Sequence, residues 1–124
     1  MAGLEGDGHL GAVQVETEGG ERRGFATSAL FLFIGADANT GWLRGCVELD
    51  RRGFVLTGAS LSPAARDGER WRLAGRAPFL LETSLPGIFA AGDVRSGSVK
   101  RVASAVGEGS MAVSFVHAHI ARPA

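Results

Sequence analysis

Gly92 and Asp93 are the residues of this 124-residue chain whose types and placement best suit chemistry. They close the apolar run Ile88-Phe89-Ala90-Ala91, and a long segment with apolar periodicity follows after a short loop. If the run is a strand, its C-terminal end is where open α/β sheets bind ligands. A glycine there lets backbone come close. The neighbouring Asp carboxylate can accept hydrogen bonds from sugar or polyol hydroxyls. Free N–H groups at the start of the next helix would favour an electron-rich group at the same place. The same Gly-Asp pair also fits a plain turn after a strand, and on residue types alone both readings stand.

Other residues offer less. Gly6-Asp7-Gly8-His9-Leu10-Gly11 satisfies the G-x-G-x-x-G spacing of dinucleotide sites. That motif needs a strand before it and a helix after it. Only five residues precede Gly6 and an alternating segment follows, so the pattern reads as a glycine-rich turn. His117 and His119 are two apart, which on a helix separates them to different faces; a solvated helix end is expected, not a metal site. The single cysteine, Cys46, excludes an intramolecular disulfide, a CxxC pair and a multi-cysteine zinc site. With no histidine near it, it reads as a buried structural thiol. Trp42 and Trp71 read as packing anchors.

The elements that must position Gly92 and Asp93 follow from periodicity. Val13–Glu18 alternates and predicts a half-exposed strand, with a turn at Glu18-Gly19-Gly20-Glu21 and a returning strand from Phe25. Ala29–Ile34 is continuously apolar, as in a strand covered on both faces. Val47–Asp50 and Gly53–Thr57 predict two strands joined by a turn, and Phe79–Thr83 a further extended segment. Ser62–Arg70 is polar and carries Pro63, so it reads as a loop. Val99, Val102, Val106, Ala112, Val113, Val116 and Ile120 predict a helix over residues 99–121, with Lys100, Arg101, Glu108 and Ser110 mostly on its polar side. Gly107 and Gly109 inside it imply a bend or a close packing neighbour.

Thirteen basic and thirteen acidic residues cancel, which argues against a nucleic acid or a membrane surface as partner. No apolar run approaches the ~18–20 residues that span a bilayer. The glycine-rich, acidic start does not resemble a signal peptide, so a cytoplasmic location is expected. Hydrophobic residues at 45% suffice for a core.

Thr83-Ser84-Leu85-Pro86-Gly87-Ile88-Phe89-Ala90-Ala91-Gly92-Asp93, continued to Gly109, resembles the C-terminal FAD motif of the pyridine nucleotide-disulfide oxidoreductases. It is most similar to the low-molecular-weight thioredoxin reductase type. Leu32-Phe33-Ile34-Gly35 with Asn39-Thr40 resembles the stretch where that family's chain leaves the NADPH domain and re-enters the FAD domain, with Ala38 where the family usually has proline. The resemblance implies an α/β, partial FAD/NAD(P)-binding Rossmann-like fold. Residues 1–35 would be the C-terminal remnant of the NAD(P)H-binding domain and residues 36–124 the C-terminal part of the FAD-binding domain.

By the same resemblance, Asp93 would hydrogen-bond the ribityl chain of FAD and Gly92 would admit its polyol and phosphate side. Lys100, Arg101 and Val102 stand where the family places Arg-Gln-Ala against the isoalloxazine ring; the backbone N–H of Val102 survives that substitution as a donor. The family's first FAD-binding βαβ unit, NADPH fingerprint and CxxC pair have no counterpart here. The expectation is therefore an FAD-binding portion of a thioredoxin-reductase-like enzyme, passing electrons from NAD(P)H through FAD to a disulfide or another acceptor, that is not catalytic as this chain alone. It would depend on a partner chain carrying the N-terminal half, or on a homodimer partner. The alternative is a non-catalytic interaction or assembly module derived from the same fold.

Overall fold

A computed structural model describes residues 1–122. The chain divides into two compact units, Met1–Gly35 and Ala36–Ala124. No helix among the described residues is long and apolar enough to cross a membrane.

The first unit is an antiparallel sheet of β1 (Gly3–Gly6), β2 (Leu10–Glu16) and β3 (Arg22–Ala26), in that order. Alternation along β2 places Val13 opposite Leu4 on one side and Phe25 on the other, and Val13 is buried. The β2–β3 turn closes through Gly20 N–H to Thr17 O at 2.9 Å, with Gly20 at φ +79°. β1 is an addition to the strands that periodicity predicts. The G-x-G-x-x-G pattern forms its hairpin: a Cβ on Gly6 would stand 1.9 Å from the His9 carbonyl oxygen, so glycine is required there for the turn.

The strand expected over Ala29–Ile34 does not form. The segment has no regular structure, and Phe31, Phe33 and Ile34 are exposed, Phe33 by 91%. A strand apolar on both faces needs ladder partners and two covering layers, and no strand among the described residues pairs with it.

The second unit is held by short bridges rather than a sheet. The strands expected at 47–50 and 53–57 reduce to a single antiparallel bridge, Leu49 to Val55. The Asp50 carboxylate accepts from the backbone N–H of Arg52 at 2.8 Å and of Phe54 at 2.9 Å, so the turn is tight. The segments 79–83 and 88–91 pair through one bridge, Glu82 to Phe89, with Ala90 N–H to Leu81 O at 2.9 Å and Thr83 N–H to Ile88 O at 2.8 Å. Val47, Val55 and Ala90 form the buried centre, with Leu43, Leu49 and Leu85 against it.

Ser62–Arg70 is not a loop. It holds α1 (Pro63–Arg66) and the start of α2 (Glu69–Ala74). Ser62 Oγ accepts from Ala65 N–H at 3.1 Å, Pro63 opens the first turn, and Gly75 ends α2 in the left-handed region. Trp71 on α2 is buried as expected, whereas Trp42 is 76% exposed. Cys46 is also exposed, contrary to the buried thiol expected.

The long helix, α3, runs over Val102–Ile120. Its packed side matches the expected apolar stripe only at Ala112 and Val116, which are half-buried. Ala105, Glu108, Ala112, Phe115 and His119 turn towards the unit, while Val102 (83%), Val106, Val113 and Ile120 are exposed. The rings of Phe79, Phe89 and Phe115 stack in one cluster, Phe79 and Phe115 with centroids 5.2 Å apart. Apart from the adjoining residues and the helix's own backbone, no atom among the described residues lies within 4 Å of a Cβ built on Gly107 or Gly109, so close packing does not account for those glycines.

Candidate functional site

The backbone reaches the site extended and leaves it as a turn. Ala91 is at φ −139°, ψ 152°, and Gly92 then takes φ +76°, a conformation that costs an L side chain about 1–2 kcal/mol. Gly92–Val94 forms one 3₁₀ turn. It is fastened to the middle of the unit on one side, where Val55 N–H donates to Val94 O at 2.9 Å and Ser96 N–H to Val55 O at 2.8 Å. Ser96 Oγ also donates to the Asp50 carboxylate at 2.8 Å. On the other side α3 lies against the turn: a Cβ on Gly92 would meet Ala105 Cβ at 3.2 Å. Glycine is thus demanded twice, by its φ and by the helix.

The turn presents the Asp93 side chain to solvent, and no hydrogen bond engages its carboxylate among the described residues. Its backbone oxygen accepts from Lys100 Nζ at 2.6 Å. The same ammonium sits 3.9 Å from the centroid of Phe54, so Lys100 is occupied in shaping the loop. Arg101 is exposed, donates to the Lys100 carbonyl at 2.9 Å, and caps α3 in an extended conformation without a side-chain cap. Ala105 N–H to Arg101 O, at 3.0 Å, is the first bond of the helix, which leaves the amides of Val102, Ala103 and Ser104 outside its ladder. In the connecting loop, Ser98 Oγ is buried without a partner among the described residues. The five residues singled out from sequence, Gly92, Asp93, Lys100, Arg101 and Val102, therefore lie on one turn, one loop and one helix start that pack together.

Two further residues belong to the site. Glu108, expected on the polar side of the helix, reaches back across two turns of α3. One carboxylate oxygen accepts from Gly92 N–H at 2.7 Å and from Arg95 Nε at 3.1 Å; the other accepts from Arg95 Nη2. The pair is largely buried. The Arg95 hydrogen bonds hold the Glu108 carboxyl below its usual range against the opposing effect of burial, and the Gly92 amide adds to this. The Glu108 bonds in turn raise Arg95 above its usual value. The signal that could have found the pair is the spacing of V-R from G-E-G, and only a contact makes it legible.

His119 is not at a solvated end. Its Nδ1 accepts from Arg76 Nη2 at 3.1 Å, since a guanidinium can only donate. Arg76 makes a bidentate pair with Glu82 at 2.6 Å and 2.6 Å. His117 is exposed, and no group of metal ligands forms among the described residues.

Residues 1–109 match the family described as pyridine nucleotide-disulphide oxidoreductase. The chain belongs to that family. It is 35% identical over 121 residues to a Pseudomonas aeruginosa alkyl hydroperoxide reductase, covering 96% of this chain and 19% of that protein. It is 34% identical over 111 residues to the mitochondrial thioredoxin reductase 1 of Arabidopsis thaliana, covering 86% of this chain and 24% of the relative. Among solved structures, thioredoxin reductase from Streptococcus pyogenes superimposes with a TM-score of 0.60 at 24% identity, over 94% of this chain and 32% of the other. The fold is thus part of an FAD/NAD(P)-binding Rossmann-like fold. The chain spans between about a fifth and a third of the length of these family members.

Proposed function

We propose that this chain is the portion of a thioredoxin-reductase-like flavoprotein that receives the ribityl chain and ring edge of FAD. Met1–Gly35 is then the end of the NAD(P)H-binding domain and the second unit the C-terminal part of the FAD-binding domain. The observation that carries the reading is the Asp93 carboxylate, exposed and unengaged among the described residues, on a turn packed against the open start of α3.

The residues present fit the group. Asp93 offers two oxygens to polyol hydroxyls. The amides of Val102, Ala103 and Ser104 offer donors, with the helix dipole, to an electron-rich ring edge. The orphaned Ser98 hydroxyl lies in the loop between them. Gly92 sets the turn, Lys100 secures its carbonyl, and Arg101 frames the helix start. FAD, when bound, supplies hydride acceptance from NAD(P)H and electron delivery to a disulfide or another acceptor. The chain's own part is to hold and orient it. The chain by itself does not turn over, because it carries neither a CxxC pair nor a nucleotide fingerprint.

The exposed run Leu30–Ile34 and the exposed stripe Val102, Val106, Val113 and Ile120 support a need for a covering partner, either the N-terminal part of the flavoprotein or a second copy. They equally favour the second reading, an assembly module that keeps the fold and not the chemistry. A cytoplasmic location fits an exposed, unpaired thiol at Cys46. A flavin fluorescence titration tests the cofactor reading. Saturable quenching that Asp93→Ala abolishes is expected. Quenching of equal affinity in Asp93→Ala, or none in the unaltered chain, removes the flavin role and leaves the assembly module.

A further inference from the structure

A carboxylate that meets a ligand must also be aimed at it. Asp93 has no side-chain partner among the described residues, so its direction is set by the backbone of the turn alone. That turn starts at Gly92, whose φ of +76° is open to many conformations when the residue is free. Its amide is the last donor before Asp93, and it is held by a side chain rather than by a ladder: Gly92 N–H donates to Glu108 at 2.7 Å. Glu108 sits sixteen residues away on α3 and is itself fixed by two bonds from Arg95, at the far end of the same turn. One carboxylate thus ties the first residue of the turn, the residue just after it, and the helix whose open start adjoins them.

We infer that Glu108 is a positioning residue: held by Arg95, it fixes the Gly92 amide and thereby the direction in which the Asp93 carboxylate leaves the turn. This rests on the flavin-binding reading for its functional consequence, not for its geometry. A buried, charge-assisted bond to one acceptor gives a stiffer turn than a solvated amide would. It also couples the turn to α3, so that the carboxylate of Asp93 and the free amides of Val102–Ser104 keep one spacing.

The alternative role for the pair is that of a strut, in which only the Arg95–Glu108 attraction matters. Three alterations of the full chain separate the two. Glu108→Gln keeps a carbonyl oxygen for Gly92 N–H and abolishes the ion pair, leaving at most a hydrogen bond from Arg95 to a neutral amide. Arg95→Glu with Glu108→Arg restores the attraction with opposite polarity and puts a donor opposite the Gly92 amide. Glu108→Ala removes both. Three quantities are read for each: FAD affinity, melting temperature, and hydrogen exchange of the Gly92 amide by NMR.

Glu108→Ala and the exchanged pair are expected to lose about tenfold to a hundredfold in FAD affinity, the worth of one hydrogen bond to a charged group, while Glu108→Gln stays within about threefold. Affinity then follows protection of the Gly92 amide and not melting temperature. If the exchanged pair recovers both stability and affinity while its Gly92 amide stays unprotected, the pair is a strut and the inference is overturned. If the unaltered chain binds no FAD, the flavin reading fails, and the inference is decided by NMR alone. Loss of Gly92 protection together with a changed φ-dependent coupling at Asp93 in Glu108→Ala upholds it; no change in either refutes it.

Discussion

Replacing Arg76 by Met removes the guanidinium beside a fully buried carboxylate. Glu82 has 0% side-chain exposure and Arg76 7%. Burial pushes the Glu82 carboxyl up, but the Arg76 bonds and the backbone N–H groups of Gly87 (2.7 Å) and Phe79 (2.9 Å) outweigh it and hold the group below its ordinary 4.5. In the altered protein two backbone donors remain and the guanidinium does not. Breaking a buried pair on one side costs about 3–5 kcal/mol, against about 5–15 kcal/mol for a whole domain. His119 also loses its Arg76 donor, which loosens the end of α3.

The pH dependence has a definite sign. In the unaltered chain the folded Glu82 value is depressed, so its contribution is fully present above 4.5 and is lost as the pH falls through the lowered value. In Arg76→Met burial prevails and the folded value is raised, so the ionised form opposes folding and acidification relieves it. Urea denaturation followed by circular dichroism, from about pH 7.5 to about 4.5, should show the gap between the two proteins shrinking as the pH falls. A cost below about 1 kcal/mol at the upper end, or a gap that widens on acidification, would refute the reasoning.

Three further outcomes are expected. Gly58→Ala should destabilise by about 2 kcal/mol or more, because the residue is at φ +53° and the new Cβ would stand 2.7 Å from the Leu80 carbonyl oxygen; an unchanged melting temperature would contradict this. Cys46 should react with a thiol-specific disulfide reagent in the native state as fast as a free thiol, and protection until unfolding would contradict its exposed placement. Replacing Val106, Val113 and Ile120 together by Ser should lower self-association by sedimentation while changing stability by less than about 0.5 kcal/mol per site. Association that persists would show that this stripe is not the contact.

What is legible from sequence is local. The turn at Gly19-Gly20, the run closed by Gly92-Asp93 and the 3.6-residue period of α3 depend on neighbours a few positions apart. The Ser62-Pro63 start and Gly75 stop of two short helices are equally local, and the polarity of the segment hides them. The burial of single residues is not legible. Cys46 and Trp42 are exposed because nothing among the described residues folds over them, which their neighbours in sequence do not encode. Periodicity also misplaces the packed side of α3, since it sorts by polarity, whereas Glu108 and His119 pack inward because Arg95 and Arg76 meet them. The run 29–34 shows the same limit from the other side: its apolar character says that it is to be covered and not by what.

Whether FAD is received at the Gly92–Asp93 turn and the open start of α3 can be read residue by residue. Amide chemical shifts of the full chain, followed by NMR as FAD is added, give that reading. Saturable shifts concentrated at Gly92–Val94 and Arg101–Ser104, and their loss in Asp93→Ala, are expected. Shifts centred elsewhere in the second unit, or none at all at these residues, would contradict the proposed site.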